Sequence, residues 1–247
     1  MSFKIQSKII SRRFKPFIIA EMSGNHNQSL NKAIKIVETA AKCGADAIKL
    51  QTYTADTITI NKNDNEFMIK DKKSLWYGKS LYELYDEAHT PWEWHESIFK
   101  CAKENNIICF SSVFDESSVD FLEKLDTPAY KIASFENNHI PLIQKVATCN
   151  KPIIISTGMA SIDDIDDLVG CLPYELLSKL ILLKCTSNYP ATAGNSNLLT
   201  IPHMQEKYNC QVGLSDHTIG NGTSIAAVAL GATVIEKHFT LDRSEEG

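Results

Sequence analysis

Short apolar runs alternate with stretches in which apolar residues return every three or four positions, and this rhythm continues from Phe17 to Phe239. The apolar runs are Phe17–Met22, Ala47–Gln51, Ile107–Ser112, Tyr130–Ser134, Pro152–Thr157, Ile181–Thr186, Val212–Asp216 and Val234–Phe239. They are β-branched and continuous rather than alternating, as expected of strands covered on both faces. Between them, Leu30, Ala33, Ile34, Val37 and Ala41 recur at helical spacing, and Gly44 stands where a C-terminal cap belongs. Similar periodicity predicts helices around Trp94–Asn105, Ser117–Leu125, Ile140–Thr148, Ile162–Cys171, Leu198–Tyr208 and Thr223–Leu230. Trp92 and Trp94 mark the start of one helix, and the acidic run Asp163 to Asp167 the solvated first turns of another. Eight strands with seven intervening helices predict an α/β fold of the (β/α)₈ barrel type. A doubly wound open sheet gives the same alternation but ranks second, because no Gly-rich nucleotide loop follows the first strand.

Two segments depart from the rhythm. The connection from Thr52 to about Pro91 is far longer than an ordinary βα loop and leaves a strand's C-terminal end, so it is expected on the catalytic face as a lid or wall. Only eight residues follow Phe239, so the barrel is expected to lack its eighth helix. The chain is then either a fragment or a barrel whose seam is covered from outside. Residues 1–16 precede the barrel (17–247) and are expected as an exposed strand or hairpin.

Composition narrows the classes. A chain of 247 residues, 43% hydrophobic, can bury one full core. Its net charge of −5 argues against nucleic acid, whose phosphates call for clustered Lys and Arg. The one basic run, Lys8 to Lys15, is short and interleaved with isoleucine. No apolar stretch approaches a membrane span, and Lys4, Lys8, Arg12 and Arg13 interrupt any signal-like core. Seven cysteines without a C-x-x-C pair read as reduced residues of a cytoplasmic protein.

The strand ends carry the candidate chemistry. Nearly every apolar run closes on polar side chains: Glu21; Lys49 with Gln51; Ser111-Ser112; Lys131 with Ser134 and Glu136; Ser156-Thr157; Lys184 with Thr186; Ser215-Asp216-His217; Glu236-Lys237-His238. Packing explains this poorly, since buried charge is costly unless paired or used. His217 and His238 end neighbouring strands, close enough for both imidazoles to reach one divalent transition metal ion; the bland alternative is two hydrogen-bonded core histidines. Lys49 and Lys131 interrupt apolar strands and, with hydroxyls from Ser112, Ser134, Ser156 and Ser215, make an anion site. A Schiff-base lysine is the rival reading, and Lys184 in LLKCT keeps it open. Ser23 to Gln28 joins the first strand to the first helix, either as a bland polar turn or with Asn25 lining the barrel mouth. A metal-dependent hydrolase on the same barrel is a further reading, weakened by the absence of H-x-H on the first strand.

These segments together resemble the sialic acid synthase family. The matching motifs are IIAEMSGNHNQSL, GADAIKLQTYT, PAYKIASFE, KPIIISTGMAS, LLKCTSNYPA, VGLSDHTIGN and GATVIEKHFTLDR, in family order over about residues 17 to 243. Within the family, NHNQSL, LQTYTADT, SLYELYDEAHTPWEWH and YKIASFE resemble the pseudaminic acid synthase branch more than N-acetylneuraminate synthases. The resemblance implies condensation of phosphoenolpyruvate with the open-chain aldehyde of a 2-acetamido sugar, giving a nonulosonic acid and phosphate. For the pseudaminate branch the acceptor is 2,4-diacetamido-2,4,6-trideoxy-L-altrose. It also implies Mn²⁺, Co²⁺ or Mg²⁺ on His217 and His238. Phosphoenolpyruvate would lie on Lys49, Ser112, Lys131, Ser134, Ser156 and Ser215. Asn25, Gln51, Ser187 and Tyr189 would face the sugar, and Glu21, Glu136 or Glu236 would stabilise charge or activate water. Ser112 and Ser187 depart from the Thr and Asn usual in N-acetylneuraminate synthases. The resemblance further implies a homodimer in the full-length form, whose C-terminal antifreeze-like domain, expected to be missing from this sequence, reaches a partner's active site.

Overall fold

The computed structural model describes residues 2–72, 74 and 76–244. Phe3–Ile5 (β1) and Lys8–Ile10 (β2) pair antiparallel as a hairpin. Eight parallel strands then close into a barrel: Phe17–Glu21 (β3), Ala47–Thr52 (β4), Ile108–Val113 (β5), Tyr130–Ile132 (β6), Ile153–Ser156 (β7), Leu180–Cys185 (β8), Gln211–Asp216 (β9) and Val234–His238 (β10). β10 pairs with both β3 and β9, so the expected barrel is present and the open sheet is excluded. The strands match the apolar runs to within a residue or two. The largest shortfall is β6, where the chain leaves the sheet after Ile132 and turns through a short 3₁₀ segment at Ser134–Glu136.

Helices clothe the barrel: Leu30–Lys42 (α1), Ala55–Ile58 (α2), Leu81–Ala88 (α3), His95–Glu104 (α4), Glu116–Lys124 (α5), Ile140–Thr148 (α6), Ile162–Gly170 (α7), Tyr174–Leu177 (α8), Thr200–Tyr208 (α9) and Gly222–Ala229 (α10). Their starts follow from sequence. The Ser29 hydroxyl accepts from the Lys32 amide, and Ser161 with Asp164 forms a capping box that opens the acidic helix α7. Trp92–Trp94 form a 3₁₀ turn that feeds α4, which itself begins at His95. The long Thr52–Pro91 connection holds α2 and α3, and a bridge between Met68 and Ser80 ties it together. Among the described residues no helix follows β10, and Ile18, on the outer face of β3, is 36% exposed. None of the described helices is long and apolar enough to cross a membrane.

The barrel's interior is divided along its axis. At the bottom, Phe17, Ile19, Ala47, Ile108, Phe110, Ile154, Ile181, Leu183 and Val234 pack together, and Ile5 and Ile10 of the hairpin join them fully buried. The hairpin is therefore a plug rather than an exposed appendage, since its alternate isoleucines find an apolar floor to cover. Lys8 pins it by a 2.7 Å ion pair to the buried Asp46, whose other oxygen accepts from the Ile18 amide at 3.0 Å. Gly213 marks the tightest packing: a Cβ there would meet the Val234 carbonyl oxygen at 2.3 Å and Leu183 Cδ2 at 2.7 Å. Gly213→Ala is accordingly expected to lower stability by about 1–3 kcal/mol through overpacking, and Ile10→Ala by about 2–5 kcal/mol through a cavity in the plug. Urea denaturation of both variants checks the pair, and unchanged midpoints would contradict this account of the floor.

Candidate active site

Strand side chains alternate between the lumen and the helix layer, and parallel register keeps like with like. Glu21 stands beside Lys49 and His238; Ser112 beside Lys131; Ser215 beside Cys185 and Glu236. All of these point inward above the apolar floor. The intervening positions point outward, and their polar groups are occupied in local structure. Thr52 bonds Ser111 at 2.6 Å and His95 at 2.9 Å, and Asp216 accepts from Thr218, Ser224 and Lys237. Lys184 belongs to this outer set, because Ile181, Leu183 and Cys185 take the lumen side of β8. A Schiff base on Lys184 at the barrel centre is therefore excluded.

The lumen holds a chain of charges. Lys49 Nζ lies 2.6 Å from Glu21 Oε2 and 3.6 Å from Glu236 Oε2, and it donates to Ser112 Oγ at 3.0 Å. The Glu21 contact is an off-axis ion pair, since neither Glu21 oxygen has a well-aligned hydrogen-bond partner. Ser215 Oγ donates to Glu236 Oε1 at 2.9 Å. Lys131 Nζ donates to Ser156 Oγ at 2.7 Å and to the Ile132 carbonyl at 2.8 Å. All four charged groups are at least 95% buried.

Their environments separate them. Burial raises the Glu21 carboxyl above its ordinary range, and attraction to Lys49 does not cancel it. Burial also acts to raise Glu236, but Lys131 and then Lys49 overcome it and hold the carboxyl at about 2. Lys49, desolvated but flanked by both carboxylates, is held above its usual value, whereas burial lowers Lys131. Burial likewise raises Glu136, whose Oε2 is buried without a partner. A carboxyl able to carry a proton, Glu21, thus shares Lys49 with one that stays ionised, Glu236.

Above the charges sit the two histidines, with ring centroids 5.4 Å apart. His217 Nδ1 is 3.0 Å from the Thr186 carbonyl, which can only accept, so this nitrogen carries the proton and Nε2 keeps its lone pair. The His238 side chain is exposed at the rim yet surrounded by protein, and that desolvation, followed by His217, lowers its pKa to about 4. His238 is thereby favoured in its neutral form, whereas burial acts to lower His217 but the Cys185 thiol and the Thr186 carbonyl raise it overall. No cluster of three or more His, Cys, Asp or Glu side chains that could hold a metal ion occurs among the described residues. Tyr189 stacks over His217 at 4.2 Å and faces His238 at 5.8 Å.

The remaining candidates are distributed around this core. Ser134 and Ser187 crowd Gly158, where a Cβ would come within 2.5 Å of Ser134 Cβ and 3.2 Å of Ser187 Oγ; with φ at +47° the position suits glycine. Asn25 spends its amide on the Phe239 carbonyl at 3.0 Å, tying the first βα loop to the end of β10. Gln51 lines a cavity of about 450 Å³ with Asn25, Tyr53, Trp76 and Tyr85, so the long connection forms a wall of the mouth. Three contributors were not singled out from sequence. Cys185 lies 3.7 Å from Ser187 Oγ and 3.9 Å from His217 Nδ1; burial acts to raise its thiol, but the His217 contact brings it down to about 7. Asn137 donates to the Ser156 and Thr157 carbonyls and fixes the end of β7. His26 is fully buried and bonds Thr90 Oγ1 at 3.1 Å, anchoring the first loop to the long connection. The inward parity of Cys185 was readable in LLKCT, whereas nothing local announces the other two.

The NeuB family profile matches residues 36–247. This chain belongs to the NeuB family. It is similar to the pseudaminic acid synthase of Campylobacter jejuni subsp. jejuni, 48% identical over 232 residues that cover 94% of this chain and 67% of that protein. The pseudaminic acid synthase of Helicobacter pylori is 43% identical over 229 residues, covering 93% and 67%. Among solved structures, the spore coat polysaccharide biosynthesis protein spsE of Bacillus subtilis superposes with a TM-score of 0.85 at 34% identity, covering 100% of this chain and 66% of that one. The chain thus spans about two thirds of the length of these NeuB-like relatives.

The charge chain makes a direct prediction. Lys49→Met leaves Glu21 and Glu236 without their shared cation, and is expected to cost about 3–5 kcal/mol of stability. Adding Glu21→Gln should restore part of that loss in urea denaturation. A double variant no more stable than Lys49→Met would show that the carboxyl does not depend on this lysine.

Proposed function

We propose that this chain condenses phosphoenolpyruvate with the open-chain aldehyde of an acetamido sugar, forming a nonulosonic acid and releasing phosphate. The acceptor is 2,4-diacetamido-2,4,6-trideoxy-L-altrose and the product pseudaminic acid. One observation carries the reading: two buried lysines, each on a serine hydroxyl, lie in the lumen beneath a histidine pair. Likeness to two pseudaminic acid synthases favours that acceptor.

Lys131 and Lys49, with Ser112, Ser134, Ser156 and Ser215, hold the phosphate and carboxylate of phosphoenolpyruvate. His217 and His238 would hold a divalent ion such as Mn²⁺, which would supply Lewis-acid polarisation of the acceptor carbonyl. Asn25, Gln51, Ser187 and Tyr189 orient the sugar at the mouth. The methylene carbon of phosphoenolpyruvate forms the new bond to the aldehyde carbon, and positive charge develops at the enol carbon. Glu236, held ionised, stabilises that charge. Water adds to the same carbon, giving up its proton, and phosphate departs. Glu21 and Glu136, with raised pKa values, are the groups suited to moving protons in these steps. The family resemblance extends the reading to a cytoplasmic homodimer.

Incubation with phosphoenolpyruvate, Mn²⁺ and candidate sugars should release phosphate with the diacetamido-trideoxy sugar and little with N-acetylmannosamine. Preference for N-acetylmannosamine would reassign the acceptor, and sugar-independent phosphate release would favour a hydrolase. His217→Ala and His238→Ala are each expected to weaken Mn²⁺ binding by about tenfold or more, on the scale seen when a site loses part of its ligand shell. Titration calorimetry reads this, with circular dichroism unchanged.

A further inference from the structure

Lys184 is left over once the lumen is accounted for. It faces outward from β8 and is 8% exposed. Among the described residues its ammonium is bonded only to neutral oxygens, the Cys185 carbonyl at 3.3 Å and the Thr186 hydroxyl. Burial lowers its pKa, opposed in part by the Cys185 thiol, and among the described residues no carboxylate is paired with it. A buried cation without a counter-ion is costly, and natural cores rarely keep one without use.

The surroundings supply the use. Lys184 lines a cavity of about 250 Å³ between the end of β7 and the α7 and α9 helices. Thr200 and His203 offer a hydroxyl and an imidazole to the same space, Gly158 and Cys185 line its barrel side, and no acidic residue is among its lining. Lys207 at its edge is engaged by Asp166 at 3.0 Å, which leaves Lys184 as the interior charge. We propose that this cavity, on the helix side of β8, is a second anion site, which takes a tetrahedral oxyanion of the phosphate class on Lys184, Thr200 and His203. Its volume admits a phosphate group or a small phosphate monoester. Thr186 connects it to the centre, since its hydroxyl meets Lys184 while its carbonyl accepts from His217.

Equilibrium dialysis with labelled inorganic phosphate tests the site, repeated with glycerol 2-phosphate to separate free phosphate from a monoester. The wild-type chain should show two classes of site with at least one probe. Lys184→Met should remove one class, and Lys131→Met should leave that class intact. His203→Glu, an exposed change that does not touch the core, should weaken the same class by about tenfold or more, the scale of one lost charge-assisted contact. Binding unaltered in both Lys184→Met and His203→Glu, or a single class abolished by Lys131→Met, would overturn the proposal.

Discussion

Closure of eight parallel strands is the constraint from which the rest follows. Once β10 pairs with β3, every second residue of every strand is committed to a shared lumen, and the others to the layer beneath the helices. Register then places lumen residues beside lumen residues all the way around. Lys49, Ser112, Lys131, Ser215 and Glu236 are thereby forced into one volume although up to 187 residues separate them, from Lys49 to Glu236. No single loop has to assemble the site.

The same closure explains why the charges are tolerated. The floor of the lumen is apolar and plugged by Ile5 and Ile10, so water is excluded from below. Charged groups in that setting cannot be solvated and must compensate one another, which they do through Glu21, Lys49, Glu236 and Lys131. Their alternating sign lets four ionisable groups share a dry barrel, while an imperfect balance leaves Glu21 raised and Glu236 depressed. Preorganised dipoles and charges of this kind act most strongly where the dielectric is low.

The periphery obeys looser rules. The Thr52–Pro91 connection is held by local caps, by the Met68–Ser80 bridge and by His26 reaching Thr90, and it shapes the mouth without contributing to the charge chain. Lys184 shows the converse: a polar strand-end residue, indistinguishable in composition from Lys49 or Lys131, falls outside the lumen by one step of parity.

Much of this was written in the chain itself. The eight apolar runs, the C-terminal cap at Gly44, and the concentration of polar residues at strand ends are local features, because a strand's period and a cap's backbone turn involve neighbours only a few residues apart. The two histidines and two lysines could be named for the same reason. Pairing was decided elsewhere: which carboxyl meets Lys49, that Cys185 touches His217, that the Asn25 amide meets the Phe239 carbonyl, and that the hairpin is buried rather than exposed. Those outcomes depend on distances across the barrel, and those distances are set by the stagger and tilt at which the sheet closes. Each strand's sequence specifies its two faces; only closure gives those faces their neighbours.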